Sequence, residues 1–457
     1  MRKVLKFGGT SVKNANMFTN VANIISNQNR DCEIIVVLSA AAGVTNKLVE
    51  ILFHGNLKEE NIPAFTRDMS VLHQNIIEEA ISDNNVKKDI SDLVEAKLAE
   101  LSKFLNRLAS TGKVTSKNRD FVLSFGERLS TAILYGMLKD RKISAELFET
   151  DKIGMVTDGV YGNATPLLPL IEKNFRDTVI PQIKTGKILV FTGFFGSDAK
   201  GNPAIFGRGG GDYSASIIGY AVNADAIEIW TDADGFMSAD PRIVKNAKII
   251  SEMSYNEAAE LAFFGAKVLH HRTVEPARLK NIPILIKNTF DATKEGTRIS
   301  GTSPREGGSL RSVSSKRGLS IIKIYSPEMI FQPTFVSKIL SLLSKNNINT
   351  YAISTSLAAL SIVVDNASVP EIIDAVSNLK DCTIEKTIVK RDVALICVVG
   401  DKMDALGITV KIFQAVADQR ANVEMISEGA SDVALSFVVS EEDEEIIVKT
   451  IHDKFIK

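Results

Sequence analysis

Two stretches late in the chain repeat each other: "YAISTSLAALSIVV" (351–364) and "EMISEGASDVALSFVV" (424–439). The signals around the first run strand 318–325, helix 333–346, strand 349–355, strand 359–364, helix 368–379, strand 383–390. The order then recurs as strand 392–399, helix 407–420, strand 422–427, strand 432–438 and helix 441–455. A duplicated run of this kind predicts two βαββαβ units of the ferredoxin-like type. The second copy lacks its last strand, and residues 309–316 are placed to return and supply it.

The first 300 residues have a different rhythm. Short β-branched runs, "VLKF" (4–7), "EIIVVLS" (33–39), "ISAELFE" (143–149), "KILVFTG" (187–193), "AIEIWT" (226–231) and "IPILIKN" (282–288), alternate with helical stretches such as 14–29 and 212–223. Apolar strands separated by helices predict an α/β fold with a mostly parallel open sheet covered on both faces. Residues 46–118 carry helical periodicity and few strand signals, which reads as a helical insertion. The Gly-, Ser- and base-rich stretch 301–317 reads as a linker with one strand in it. The expected division is therefore 1–300, linker 301–317, 318–390 and 391–457, consistent with a chain of 457 residues, too long for one core.

Charge narrows the class. Lys+Arg (54) and Asp+Glu (55) nearly cancel, so no general attraction to polyanions follows and no nucleic-acid partner is expected. Cys32, Cys382 and Cys397 are far apart and form no CxxC, which excludes a zinc ribbon and fits a reducing compartment. Lys6 interrupts the only apolar run at the N-terminus, and "IIVVLSAAAGV" (34–44) is about half a membrane span, so a cytoplasmic protein with no membrane partner is expected.

The chemistry-bearing motifs lie at strand ends. In "KFGGTSV" (6–12), Gly8 and Gly9 let backbone N–H groups approach phosphate oxygens beside the Lys6 cation, although Gly-Gly is equally a plain turn. No GxxxxGK[ST] occurs. Ser39 and Thr45 of "LSAAAGVTNKL" donate to a ligand or cap a helix, and Glu127 of "FGERLS" complements a helix dipole or a substrate ammonium. "FGRGGGDYSA" (206–215) sets four glycines before a helix, an anion site with Arg208 as a carboxylate clamp. Asp212 stands where a dinucleotide fingerprint needs its final glycine, which argues against hydride transfer. Thr231 and Asp232 follow a buried strand, where ligands of open α/β sheets collect. Asp232, Asp234 and Asp240 lack EF-hand spacing, and the adjacent His270 and His271 point to different sides of a helix, so no metal site is read. Lys267, near a helix end, binds a ligand or satisfies carbonyls. Cations on glycine turns, without a catalytic serine, cysteine–histidine pair or zinc site, suit phosphoryl transfer.

In order, "KFGGTSV", "SAAAGVTN", "FGERLS", "GFFGSD", "GRGGGDYSA", "WTDADGFMSADPR", "FGAKVLH" and "MISEGASDVALSFVV" resemble the aspartate kinases over nearly the whole chain. The resemblance implies an amino acid kinase fold followed by paired ACT domains. It also implies ATP-dependent phosphorylation of the L-aspartate side chain, with Mg²⁺ carried by ATP. Lys6 and Asp212 would be catalytic. Ser39, Thr45, Glu127, Phe194, Arg208, Gly209, Gly210 and Gly211 would form the acceptor site. Lys6, Gly8, Gly9, Thr231, Asp232, Met237, Arg242 and Lys267 would contact the nucleotide. Met329, Asn349, Thr350, Ser354, Thr355 and Ser356 would meet an amino acid effector, the last three also reading as ordinary strand-end hydroxyls.

The family loop usually has serine where this chain has Gly211, and proline where it has His271. The lysine-sensitive pattern has an acidic residue in place of Tyr351 and a glutamate in place of Leu357, so strong inhibition by lysine is not expected. A homodimer or dimer of dimers through ACT edges is expected. The sequence stops after the second unit, so no fused homoserine dehydrogenase is expected. The rival readings are an ACT-containing sensor without turnover, and a kinase for another acceptor.

Overall fold

The computed structural model describes all residues except 30–31, 54, 266–267, 302–309, 331–333, 347, 380–382, 402, 404–406 and 457. They group into two compact units. The first comprises Met1–Phe236, Ser251–Tyr255 and Val268–Thr302; the second comprises Met237–Ile250, Asn256–Lys267 and Ser303–Lys457. This differs from a single break at residue 300. Residues 237–250 join the second unit because Met237 O accepts Ser312 Oγ at 2.9 Å and Ser238 O accepts Val313 N at 2.9 Å. Ala239 and Val244 also enter the apolar core around Val313 and Ile447.

In the first unit the described strands are β1 (Arg2–Phe7), β2 (Glu33–Leu38), β3 (Ala145–Phe148), β4 (Ile188–Thr192), β5 (Phe195–Ser197), β6 (Pro203–Ile205), β7 (Ala226–Thr231), β8 (Glu252–Ser254), β9 (Ile284–Asn288) and β10 (Thr297–Ser300). Eight of them form one sheet, order β3-β4-β2-β1-β7-β9-β10-β8, and β5–β6 is a separate hairpin. All neighbours from β3 to β9 pair in parallel, while β10 runs antiparallel to β9. Strands β2, β4 and β7 are buried almost throughout because both faces are covered. Val36 and Leu38 join the core on one side, and Phe191 of β4 stacks on Phe175 of helix Leu168–Thr178, with ring centroids 6.3 Å apart.

The helical insertion belongs to that first core. Ile77, Ile90, Leu98 and Leu105, from helices Ile62–Ala80 and Asn84–Thr111, share one cluster with Val36, Leu129 and Ile133. Helix Asn84–Thr111 starts where Asp83 accepts Asn85 N (2.9 Å) and Val86 N (3.2 Å), a cap worth about 1 kcal/mol. It stops at Gly112, whose φ of 64° the helix cannot continue.

The second unit holds β11 (Leu310–Tyr325), β12 (Ala352–Thr355), β13 (Ala359–Asp365), β14 (Lys386–Gly400), β15 (Met425–Ser427) and β16 (Ala434–Ser440). They form one sheet in the order β12-β13-β11-β14-β16-β15. The expected strands 309–316 and 318–325 are continuous in β11 (residue 309 lies outside the described residues), and 383–390 and 392–399 likewise merge in β14. One end of β11, Leu319–Tyr325, pairs with β13, while Ser312–Lys316 pairs with Leu395–Val399 of β14. The register slips between the halves at Lys316/Leu319, beside Gly318 (φ 75°) and Asp392 (φ 55°). Helices Thr334–Lys345 and Val369–Ser377 cover one half, and Ile408–Asp418 and Glu444–Phe455 the other. Among the described residues no helix is long and apolar enough to cross a membrane.

Candidate active site

β1 lies between β2 and β7 at the centre of the parallel sheet, and the site forms at the carboxyl ends of these strands, where open α/β sheets bind ligands. The loops leaving β1, β2 and β4 meet the Gly207–Asp212 loop so closely that side chains have no room. A Cβ on Gly9 would lie 3.0 Å from Ala40 O, and one on Gly193 would lie 2.8 Å from Leu38 O and 3.4 Å from Gly211 Cα. Gly207 (φ 80°) and Gly209 (φ 69°) are also in the left-handed region. Phe194 sits there as well (φ 76°), unusual for a bulky residue, with its carbonyl accepting Phe206 N at 2.9 Å.

These approaches leave a cavity of about 320 Å³ lined by Lys6, Gly9, Ser39–Gly43, Thr45, Asn46, Glu127, Phe194, Gly209–Gly211 and Asp212. Two helices begin at it, Val44–Leu52 after Gly43 and Gly210–Val222 after Gly209, and neither start is capped by a side chain. Their first-turn N–H groups and partial positive charge are thus available to an anion. Lys6, only 8 % exposed, adds a full cation and pairs with Asp212.

Glu127 is the opposite pole. It stands in the first turn of helix Phe125–Asp140 and is 3 % exposed. Its Oε1 accepts Ala40 N at 3.0 Å, whereas Oε2 is buried with no hydrogen-bond partner. Burial pushes the carboxyl up to about 8, against the Ala40 N–H and the Lys6 and Arg128 charges. The neighbouring Arg128 anchors the turn. It binds Glu149, Asp151 (2.7 Å) and Ser124 Oγ (3.1 Å), and its guanidinium lies 5.1 Å from the Phe195 ring centre. Against the burial that would raise it, Arg128, Lys152 and Lys97 hold the Glu149 carboxyl down at about 2.

The sequence-derived residues separate clearly. Lys6, Gly9, Ser39, Thr45, Glu127, Phe194, Gly209–Gly211 and Asp212 line the cavity together, and a Cβ on Gly8 would lie 3.5 Å from Lys6 Nζ. Arg208 is exposed at the rim, with no hydrogen bond or ion pair among the described residues. Thr231 and Asp232 follow the neighbouring strand, Thr231 Oγ1 donating to Asp232 at 3.1 Å. Met237 and Arg242 belong to the second unit, where Arg242 is engaged with Asp240. Lys267 lies outside the described residues.

At Gly211, where the resemblance led to an expectation of serine, a Cβ would lie 2.8 Å from Ser39 Oγ and 3.2 Å from Lys6 Cε. The space is taken by those two side chains. Sequence reading missed Asp120, fully buried, whose Oδ2 accepts Gly162 N (2.7 Å) and Ile205 N (3.0 Å) beneath the glycine loop. It also passed over Arg272 and the Arg128 network. A buried acid or base inside a helical pattern was the only available signal.

The candidate effector residues all lie in the second unit. Met329 is on the turn Pro327–Ile330, half-buried against the core of Ile322 and Phe335. Asn349 and Thr350 precede β12, Ser354 and Thr355 are on it, and Ser356 N donates to Ala359 O at 2.8 Å in the turn to β13. The Tyr351 phenol donates to Asp365 at 2.8 Å, and Lys316 Nζ lies 4.5 Å from its ring centre.

Residues 1–288 match the model of the amino acid kinase family, and residues 396–455 match an ACT domain. The chain is 31% identical over 467 residues to "Aspartokinase 1, chloroplastic" of Arabidopsis thaliana, covering 99% of this chain and 80% of that protein. It is 30% identical to "Lysine-sensitive aspartokinase 3" of Escherichia coli, covering 99% of each. The crystal structure of E. coli aspartokinase III with aspartate and ADP aligns over 100% of both chains, at 28% identity and a TM-score of 0.84. With a kinase-fold pocket of matching chemistry and similarity along its full length, the chain belongs to the aspartokinases of the amino acid kinase family.

Proposed function

We propose that the cavity between Lys6 and Glu127 is where this aspartokinase passes the terminal phosphoryl group of ATP to the side-chain carboxylate of L-aspartate. The product is 4-phospho-L-aspartate, the first intermediate towards lysine, threonine and methionine. One observation carries the assignment: a buried, unpartnered carboxylate oxygen of Glu127 shares a small cavity with Lys6 and two uncapped helix starts. An α-amino acid with a second carboxylate offers the matching set, an ammonium for Glu127 and anions for the other pole.

The acceptor needs no general base, since a carboxylate of pKa about 4 is already ionised. The obstacle is repulsion between two anions, and fixed positive groups answer it. Lys6 stabilises the transferring group, with Gly8 and Gly9 as backbone donors. Arg208, unengaged at the rim, reaches the acceptor carboxylate, and Ser39 and Thr45 complete the pocket. Thr231 and Asp232 meet the nucleotide. Among the described residues no group of three or more His, Cys, Asp or Glu side chains holds a metal by itself. The single carboxylate of Asp212 suits Mg²⁺ carried in by the triphosphate, which offsets charge on the phosphates.

The decisive assay traps acyl phosphate with hydroxylamine in the presence of ATP, Mg²⁺ and single amino acids. Hydroxamate forms with aspartate. Turnover with another acceptor alone, or binding without turnover, overturns the assignment.

Gly211 yields a narrower expectation. A methyl there displaces Ser39 Oγ, so Gly211→Ala raises the aspartate KM about 2- to 10-fold, the value of one hydrogen bond. Ser39→Ala with Gly211→Ala then costs little more than Gly211→Ala, because both remove the same contact. Additive losses in steady-state kinetics would contradict this.

The effector reading stays with the ACT-type unit. Tyr351 recruits the Asp365 carboxylate instead of presenting its own charge, which supports a weak response to lysine. Assembly through edges of the ACT-type unit, as a homodimer or dimer of dimers, belongs to the same reading.

A further inference from the structure

The loop from Gly207 to Asp212 holds four glycines, and glycine loses more conformational freedom on ordering than any other residue. Within it Gly210 N donates to Gly207 O at 3.1 Å where the helix begins, and the remaining restraint comes from outside. Its floor is the segment 162–164. A Cβ on Gly207 would lie 3.0 Å from Gly162 O and 3.4 Å from Asn163 Oδ1, and Ala164 N donates to Ile205 O at 2.9 Å.

One side chain spans floor and loop. Arg272 Nη2 donates to Ala164 O at 2.8 Å, and Nη1 donates to Phe206 O at 3.0 Å and Asn163 Oδ1 at 2.7 Å. The same guanidinium lies 4.6 Å from the centre of the Tyr213 ring. Phe206 immediately precedes the loop and Tyr213 immediately follows it, so one planar cation grips both of its ends. From the other side Asp120 accepts the N–H groups of Gly162 and Ile205. Arg272 itself does not line the cavity.

Resting on the pocket assignment above, we propose that Arg272 is a positioning residue that clamps the Gly207–Asp212 loop, and so sets where Arg208, Gly210 and Asp212 meet the acceptor. Arginine is required because its rigid fork serves two carbonyls and stacks on a ring at once; an ammonium cannot reproduce that geometry. Misplacing reacting groups by about 1 Å costs about 100-fold in rate.

The test uses the full chain with Arg272→Met and Arg272→Lys, each checked by thermal melting. For Arg272→Met, kcat falls about 10- to 100-fold. The dissociation constant for ATP, read from the fluorescence of Trp230, the single tryptophan, stays within about threefold. Guanidinium ion at low, non-denaturing concentration restores part of the lost rate. Arg272→Lys recovers less than half of the parental kcat. Parental kinetics in both variants overturns the clamp. A loss that tracks nucleotide affinity, with no guanidinium rescue, also overturns it, because that is general unfolding. Should Arg272→Met fail to fold, the lysine variant decides: parental kcat in it refutes the proposal. If Lys6→Ala and Glu127→Gln keep normal turnover, the pocket assignment itself fails. If those two are impaired and both Arg272 variants are normal, only the clamp is lost.

Discussion

Lys6→Ala lowers kcat by about two orders of magnitude or more, the usual cost of removing one preorganised donor to a transition state. The residue is nearly buried, pairs with Asp212, and is the only lysine or arginine lining the cavity among the described residues. Removal also leaves Asp212 with an uncompensated charge beside the incoming phosphates. Lys6→Arg is no substitute, because a planar guanidinium does not reproduce the compact point charge of the ammonium that pairs with Asp212. Steady-state rates at saturating ATP and aspartate check both variants, and near-parental turnover in Lys6→Ala refutes the role.

The second large effect is on pH dependence. With its carboxyl pushed up to about 8, Glu127 is protonated in the empty pocket at neutral pH, while an ammonium needs the ionised form. The competent fraction is therefore roughly a tenth at pH 7 and approaches unity above pH 9. The aspartate KM should fall about tenfold per pH unit below pH 8 and then level off. Glu127→Gln abolishes that slope and raises the plateau KM by about 100-fold or more, since the substrate ammonium is then buried without a counter-charge. Calorimetry in buffers of different ionisation heat should detect a proton released on aspartate binding at pH 7. A flat KM profile between pH 6 and 8.5 refutes the assignment. The same shift acts on the empty protein. The unfolded chain releases this proton above about 4.5 and the folded chain only near 8, so this group's contribution to stability declines between those values as pH rises.

Much of this was readable in advance, for identifiable reasons. Strands β2, β4 and β7 announce themselves because burial on both faces makes them nearly continuous apolar runs. The duplicated unit is legible because its halves keep the same order of elements. The pocket residues Lys6, Ser39, Glu127 and Gly209–Asp212 stand in short motifs at strand ends, where local sequence and site coincide. By contrast, β5, β6 and β8 have three residues each, too few to show a period. Asp120 and Arg272 escaped because their meaning lies in backbone atoms 42 to 108 residues away, and a lone charged residue on a helix reads as solvated surface. The transfer of 237–250 to the second unit depends on pairing with Ser312 and Val313, which no local pattern reveals.

Strands β11 and β14 each run through both halves of the duplicated unit, paired on either side of the register slip between the copies. The second copy completes its sheet only with Leu310–Lys316, a segment that precedes the first copy. A scission between residues 391 and 392 would sever the second copy from the strand it borrows, so the pair melts in one cooperative transition. The ancestral duplication is thereby locked in. The second repeat cannot be shuffled or inherited without the segment that precedes the first, and change in one is selected in the presence of the other.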